Sequence, residues 1–159
     1  MAIQDTFNGA KNAYAFYGAY LNTVAQELGM ERALALHTKM LEGMGPIQGK
    51  AIKEQAGAGE IDAKAAYSLA KAVPESLGLV FEVQEESPSA VRWRCRGCSV
   101  YEGWRMAGLD DTTLETMCRA GSVRFMDAVV KQLNPRLSYE IHRYRSAADD
   151  SCEEQIVLR

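Results

Sequence analysis

The sequence predicts an α+β domain: N-terminal helices, then a four-stranded antiparallel sheet made of two hairpins, with helices between the hairpins. Three observations carry this expectation. Apolar residues recur at steps of three and four through the first 77 residues, the spacing of one helical face. From Leu79 the period changes to two, as it does in strands with one dry side. A second period-two block closes the chain after another helical stretch. The 159 residues suit a single domain, 1–159, in which 1–77 is the helical part and 78–159 the hairpin–helices–hairpin part.

Element by element, Phe7, Ala10, Tyr14, Tyr17, Leu21, Val24 and Leu28 lay an apolar stripe along a first helix. Asp5 or Thr6 could cap its start, and Gly29 stands where a C-terminal stop belongs. A second helix begins near Glu31 and carries Leu34, His37, Leu41 and Met44 until Gly45-Pro46 interrupts it. Ile47 to about Gln55 could resume helically, Gly57-Ala58-Gly59 reads as a loop, and Asp62 opens a third helix closed by Pro74.

Leu79, Phe81 and Val83 then alternate with Val80, Glu82 and Gln84; after a turn over Glu85 to Ser89, Val91, Trp93 and Cys95 alternate with Arg92, Arg94 and Arg96. A short helix from Ser99 to about Met106 ends at Gly108. Asp110 or Asp111 caps the next, whose inner stripe is Leu114, Cys118, Gly121, Phe125 and Val129. Asn134-Pro135 stops it. The last hairpin turns Leu137, Tyr139 and Ile141 inward, and opposite them Cys152, Glu154, Ile156 and Leu158.

Composition excludes several function classes. Lys+Arg of 18 against Asp+Glu of 21 gives a net charge of −3, the wrong sign for a nucleic-acid binder. The three arginines of the second strand lack interleaved aromatics, and Glu82, Glu140 and Glu153 stand ready to pair with them. No apolar run reaches the roughly 18–20 residues of a membrane span, and Met1 to Asp5 holds no secretory signal. A cytoplasmic protein with reduced thiols is expected. The aromatic surplus of the first helix, with Phe16 and Tyr20 off its stripe, predicts a homodimer.

The chemistry concentrates in the cysteines. Cys95-Arg96-Gly97-Cys98 is a C-x2-C pair at a strand-to-loop junction. Cys95, Cys118 and Cys152 all face the dry layer between sheet and helices. Thiolates gathered there could hold a tetrahedral zinc ion, although the second C-x2-C pair of a zinc ribbon is missing. Buried cysteines also pack simply as small hydrophobes. Cys98 opens a helix, where terminal N–H groups lower a thiol pKa, and Arg96 and Arg105 could add to the effect. It is the preferred nucleophile or metal ligand.

Glu102 lies four residues after Cys98 and could serve as acid, base or oxygen ligand. Alternation places Glu154 inward beside Cys152, where its carboxylate must be paired, coordinated or raised in pKa, unless it escapes to water at a strand edge. His37, between Leu34 and Leu41, is either a satisfied core histidine or, with Arg105, a substrate-binding residue.

Three patches carry a resemblance: Trp93-Arg94-Cys95-Arg96-Gly97-Cys98-Ser99-Val100-Tyr101-Glu102, Leu114-Glu115-Thr116-Met117-Cys118, and Asp149-Asp150-Ser151-Cys152-Glu153-Glu154. Over roughly Val91 to Leu158, with a weaker echo from Leu34 to Gly45, the chain resembles the L-2-amino-thiazoline-4-carboxylic acid hydrolase family. The resemblance implies hydrolytic opening of a cyclic amidine-like ring, a step toward cysteine, with Cys98, Cys118 and Cys152 at matching positions. The element order is also similar to the 4-vinyl-reductase-type domain, a small-molecule-binding module. In that group cysteines and a glutamate can bind zinc, which here implies Cys118, Cys152 and an acidic neighbour such as Glu154. This chain departs from that pattern in having Ala147-Ala148-Asp149-Asp150 where a glycine-rich approach to the last cysteine would stand.

Two catalytic schemes fit. A zinc ion held by Cys98, Cys118, Cys152 and Glu154 would activate water. Otherwise Cys98 attacks the ring carbon and Glu102 protonates the leaving group. The rival expectation is a non-catalytic small-molecule or metal-binding sensor built on the same fold.

Overall fold

The computed structural model describes residues 3–57 and 59–159. Met1, Ala2 and Ala58, the middle of the expected Gly57–Gly59 loop, lie outside the described residues. The helical part comprises α1 (Ile3–Leu28), α2 (Met30–Ala56), α3 (Ala63–Ala70) and the single turn α4 (Ala72–Glu75). The first hairpin follows as β1 (Phe81–Glu86) and β2 (Ala90–Cys95). Next come α5 (Ser99–Met106) and α6 (Asp111–Met117), a π-helical turn over Cys118–Ser122, and α7 (Val123–Leu133). β3 (Leu137–Arg143) and β4 (Cys152–Leu158) close the chain. The four strands form one antiparallel sheet in the order β1-β2-β4-β3, so the two hairpins meet through β2 and β4.

Local signals explain most boundaries. Gly29, with φ of +84°, separates α1 from α2 in a conformation that costs glycine little. The Asp62 side chain accepts from Ala65 N–H at 2.8 Å and caps α3; Asp110 does the same for α6 through Thr113 N–H at 2.8 Å.

Three expectations need correction. Pro46 does not interrupt α2, which runs through it to Ala56. Packing outweighs the lost backbone bond, because α2 lies directly on α7: a Cβ on Gly45 would stand 2.7 Å from Ala128 Cβ, and one on Gly49 2.6 Å from Val129 O. That close approach holds both halves of α2 in line. Val83 does not face the core; it is 41% exposed, because β1 is an edge strand with a register shift between Val83 and Glu85. The inner stripe of the long C-terminal helix does not run unbroken from Leu114 to Val129 either. The π turn adds a residue to the ladder at Cys118–Ser122, and the buried face beyond it passes to Met126, Val129, Val130 and Leu133, leaving Phe125 half-buried.

Two cores result. The larger packs α3 and α7 on the inward sheet face around Val91, Trp93, Leu137, Tyr139 and Ile156. The smaller joins α1, α5 and α6 through Leu21, Val100, Tyr101, Trp104, Leu114 and Met117. The outward sheet face carries ion pairs, Arg94 with Glu153 and Arg96 with Glu82. Glu140 is engaged instead by Arg159 and Gln155. No helix among the described residues is long and apolar enough to cross a membrane.

Candidate functional site

A cavity of about 100 Å³ opens between the two cores, lined by all four cysteines, Glu154, Arg145 and a wall of tyrosines and aliphatic side chains. The fold brings its polar groups from six places. Cys95 ends β2 and stands directly opposite Cys152, which begins β4. Cys98 is the N-cap of α5, Cys118 opens the π turn, Glu154 is two residues along β4, and Arg145 follows β3. The volume is of the order of the roughly 150 Å³ apolar cavity that admits benzene, so a single small ring is the natural guest.

The Cys98 sulfur accepts the Tyr101 N–H at 3.4 Å, as a capping oxygen would. A hydrogen bond from the Cys95 thiol, that N–H and the Arg145 charge together hold the Cys98 thiol below its ordinary value, against the opposing effect of burial. Its partner moves the other way. Sharing its proton with Cys98, and then burial, push the Cys95 thiol up, and its S–H also reaches Gly97 O at 3.4 Å. Burial pushes up Cys118 as well, reinforced by Cys98. Cys152 is likewise raised by burial, although Arg145 opposes the shift. Of the four thiols, then, only Cys98 is shifted toward its thiolate form.

Glu154 faces inward opposite Trp93, and its carboxylate accepts Trp93 Nε1–H at 3.0 Å and Tyr139 O–H at 2.7 Å. Burial raises its pKa despite those two donors and Arg145. Cavity tyrosines are held neutral: burial raises Tyr14, Tyr139 and Tyr144. The cavity thus pairs a group shifted toward its anion, Cys98, with one shifted toward its acid, Glu154. Opposed shifts of this kind divide nucleophile from acid.

The structure brings Cys98, Cys118, Cys152 and Glu154 to one cavity, but the other candidates lie elsewhere. Glu102 faces Lys11 at 3.7 Å. It is not beside the Cys98 sulfur because Cys98 is the cap, outside the helical repeat that a spacing of four assumes. Arg105 is exposed, donating to Tyr101 O–H at 3.1 Å and pairing with Asp111. His37, on α2, is buried against α1 and α6, with Tyr17 O–H 2.8 Å from Nδ1 and Met117 O 3.1 Å from Nε2. Burial lowers its pKa, so it serves as a neutral link between helices.

The donor set does not fit a zinc centre in this arrangement. Among the described residues no three His, Cys, Asp or Glu side chains converge as a metal would require. The Arg145 cation stands among the sulfurs, and one of the two Glu154 oxygens, Oε2, already accepts from two donors.

Arg145 had no sequence signal, since it sits in a loop outside either period. Tyr139 had one, its inward place on β3, but nothing in that place marked it as polar wall rather than core.

Comparison with known proteins adds three findings. The model of the L-2-amino-thiazoline-4-carboxylic acid hydrolase family matches residues 9–153. A search of curated proteins gives no match. Among solved structures, the phenol-responsive sensory domain of the transcription activator PoxR, crystallised with phenol, is similar in fold. Its TM-score is 0.57 at 13% identity, with 91% of this chain and 74% of that one covered.

Proposed function

We propose a function from one premise: the chain belongs to the L-2-amino-thiazoline-4-carboxylic acid hydrolase family. The cavity binds a small cyclic amidine and opens its ring by hydrolysis of a C–N bond, with Cys98 as nucleophile and Glu154 as acid. The observation that supports this most is the presence, on one small cavity, of a thiol shifted down and a carboxyl shifted up.

With the amidine protonated, the Cys98 thiolate adds to its carbon, forming an S–C bond while the C=N pair moves to the ring nitrogen. Glu154 gives its proton to that nitrogen, and the ring C–N bond breaks with its electron pair on the leaving amine while the exocyclic nitrogen's lone pair forms a C=N bond to the same carbon. Water then adds to the same carbon and returns a proton to Glu154. Collapse to a carbonyl expels the Cys98 thiolate, and the hydroxyl proton passes to the freed amine. Here Glu154 takes the role that spacing alone assigned to Glu102.

A second reading is favoured by a specific observation. The fold is similar to that of a phenol-responsive sensory domain, and a small, tyrosine-lined cavity suits a sensor that binds a ring without changing it. The homodimer expected from α1 belongs to either reading, supported by Phe16 and Tyr20, 82% and 62% exposed on one helix.

The test is turnover of 2-amino-thiazoline-4-carboxylate followed by proton NMR. Ring opening by the wild-type chain, absent in Cys98→Ser, supports the hydrolase. Saturable binding with the ring intact supports the sensor.

A further inference from the structure

Among the described residues lining the cavity Arg145 is the only fixed cation, and in the ring-opening steps it meets no reacting atom, acting only through its effect on the Cys98 thiol. It is 4% exposed. Among the described residues no carboxylate lies within ion-pair distance of it. What holds it is neutral. Nη2 donates to Cys95 O at 3.1 Å and Arg96 O at 3.0 Å, Nη1 reaches Ala148 O only at 3.5 Å, and the Tyr101 ring lies 4.8 Å from Cζ. Nε–H is buried with no acceptor at all.

A guanidinium so placed is desolvated, fixed in direction and short of counter-charge, a combination that is costly unless something anionic meets it. The nearby sulfurs answer only in part, since burial shifts Cys152 toward its neutral thiol and only Cys98 is shifted toward its anion. Arginine's planar fork is also the side chain best shaped for a carboxylate.

We infer that Arg145 is the anion subsite of the cavity and the residue that selects ring ligands bearing a carboxylate over neutral rings of the same shape. The inference rests on the ring-binding reading of the cavity and assigns a residue that neither the sequence motifs nor the catalytic steps single out. In this arrangement the ligand's charged end anchors at Arg145, and its ring extends toward Cys98 and Glu154.

Calorimetric titration with 2-amino-thiazoline-4-carboxylate and its neutral 4-carboxamide tests it, using the full chain with Cys98→Ser to prevent turnover. The carboxylate is expected to bind about tenfold or more tighter than the carboxamide. Arg145→Met should erase that ratio and Arg145→Lys should retain part of it. If Arg145→Met fails to fold, the ratio in the chain that keeps Arg145 still decides. Equal affinities there, or a ratio that survives in Arg145→Met, would overturn the subsite. So would slower Cys98 alkylation in an otherwise wild-type Arg145→Met chain whose carboxylate preference persists, since Arg145 would then serve only the thiolate. Failure of both rings to bind would remove the ring cavity itself, an outcome distinct from equal binding.

Discussion

Trp93 and Glu154 are direct partners across β2 and β4, and the indole N–H of one donates to the carboxylate of the other at 3.0 Å. That bond favours the charged form of Glu154, while burial opposes it more strongly. In Trp93→Phe the limb of the kcat/KM–pH profile set by Glu154 therefore moves to higher pH. A profile unchanged by the substitution would remove Glu154 from the chemistry.

Glu154 also links pH to stability. Its pKa is raised on folding, so the native state binds the proton more tightly there. Its contribution is complete below the ordinary carboxyl value of 4.5 and is lost as pH rises through the folded value. Glu154→Gln keeps an acceptor for Trp93 and Tyr139 and has no proton to lose. Its Tm relative to wild type should rise between pH 5 and pH 8, while turnover falls by about 100-fold or more.

Cys98→Ser keeps a good helix cap on α5, so folding should be preserved while ring opening falls on the order of 1,000-fold. Iodoacetamide at pH 7 should modify Cys98 before Cys95, Cys118 or Cys152, because only Cys98 is held toward the thiolate. Peptide mapping reads the order of labelling directly.

Gly121→Ala tests the π turn. A Cβ there would collide with His37 Nε2, the atom bonded to Met117 O, and with Leu41. A loss of about 2–4 kcal/mol in urea unfolding is expected from overpacking and the broken bond. A change below about 0.5 kcal/mol, the range of ordinary surface substitutions, would show that α2 is not seated there as described.

With a cation among the thiols and no converging triad of ligands among the described residues, chelators should leave activity unchanged, and all four thiols should titrate in denaturant. One zinc per chain by elemental mass spectrometry, lost together with activity, would contradict the thiol mechanism.

The sheet and its dry face were legible because alternation of period two puts Val91, Trp93, Cys95, Cys152, Glu154 and Ile156 on one side whatever the tertiary context. The pairing of Cys95 with Cys152 followed from that face, and Cys118 from its helix stripe. What escaped was set by packing between distant segments. Pro46 reads as a break until α7 presses on Gly45 and Gly49. The π turn leaves no mark in composition, so the stripe through Phe125 could be drawn straight. Glu102 seemed to share a face with Cys98 because spacing treats a cap as a helical residue. Arg145, in a loop, belongs to no period, and only its burial beside the cavity gives it meaning.

The most direct measurement is rapid-quench intact-mass analysis of the wild-type chain with excess 2-amino-thiazoline-4-carboxylate, followed by peptide mapping. A transient adduct on the Cys98 peptide, forming and decaying at rates consistent with turnover and absent in Cys98→Ser, is the expected result. Full turnover by a chain alkylated at Cys98, or binding with no ring opening at all, would contradict the account.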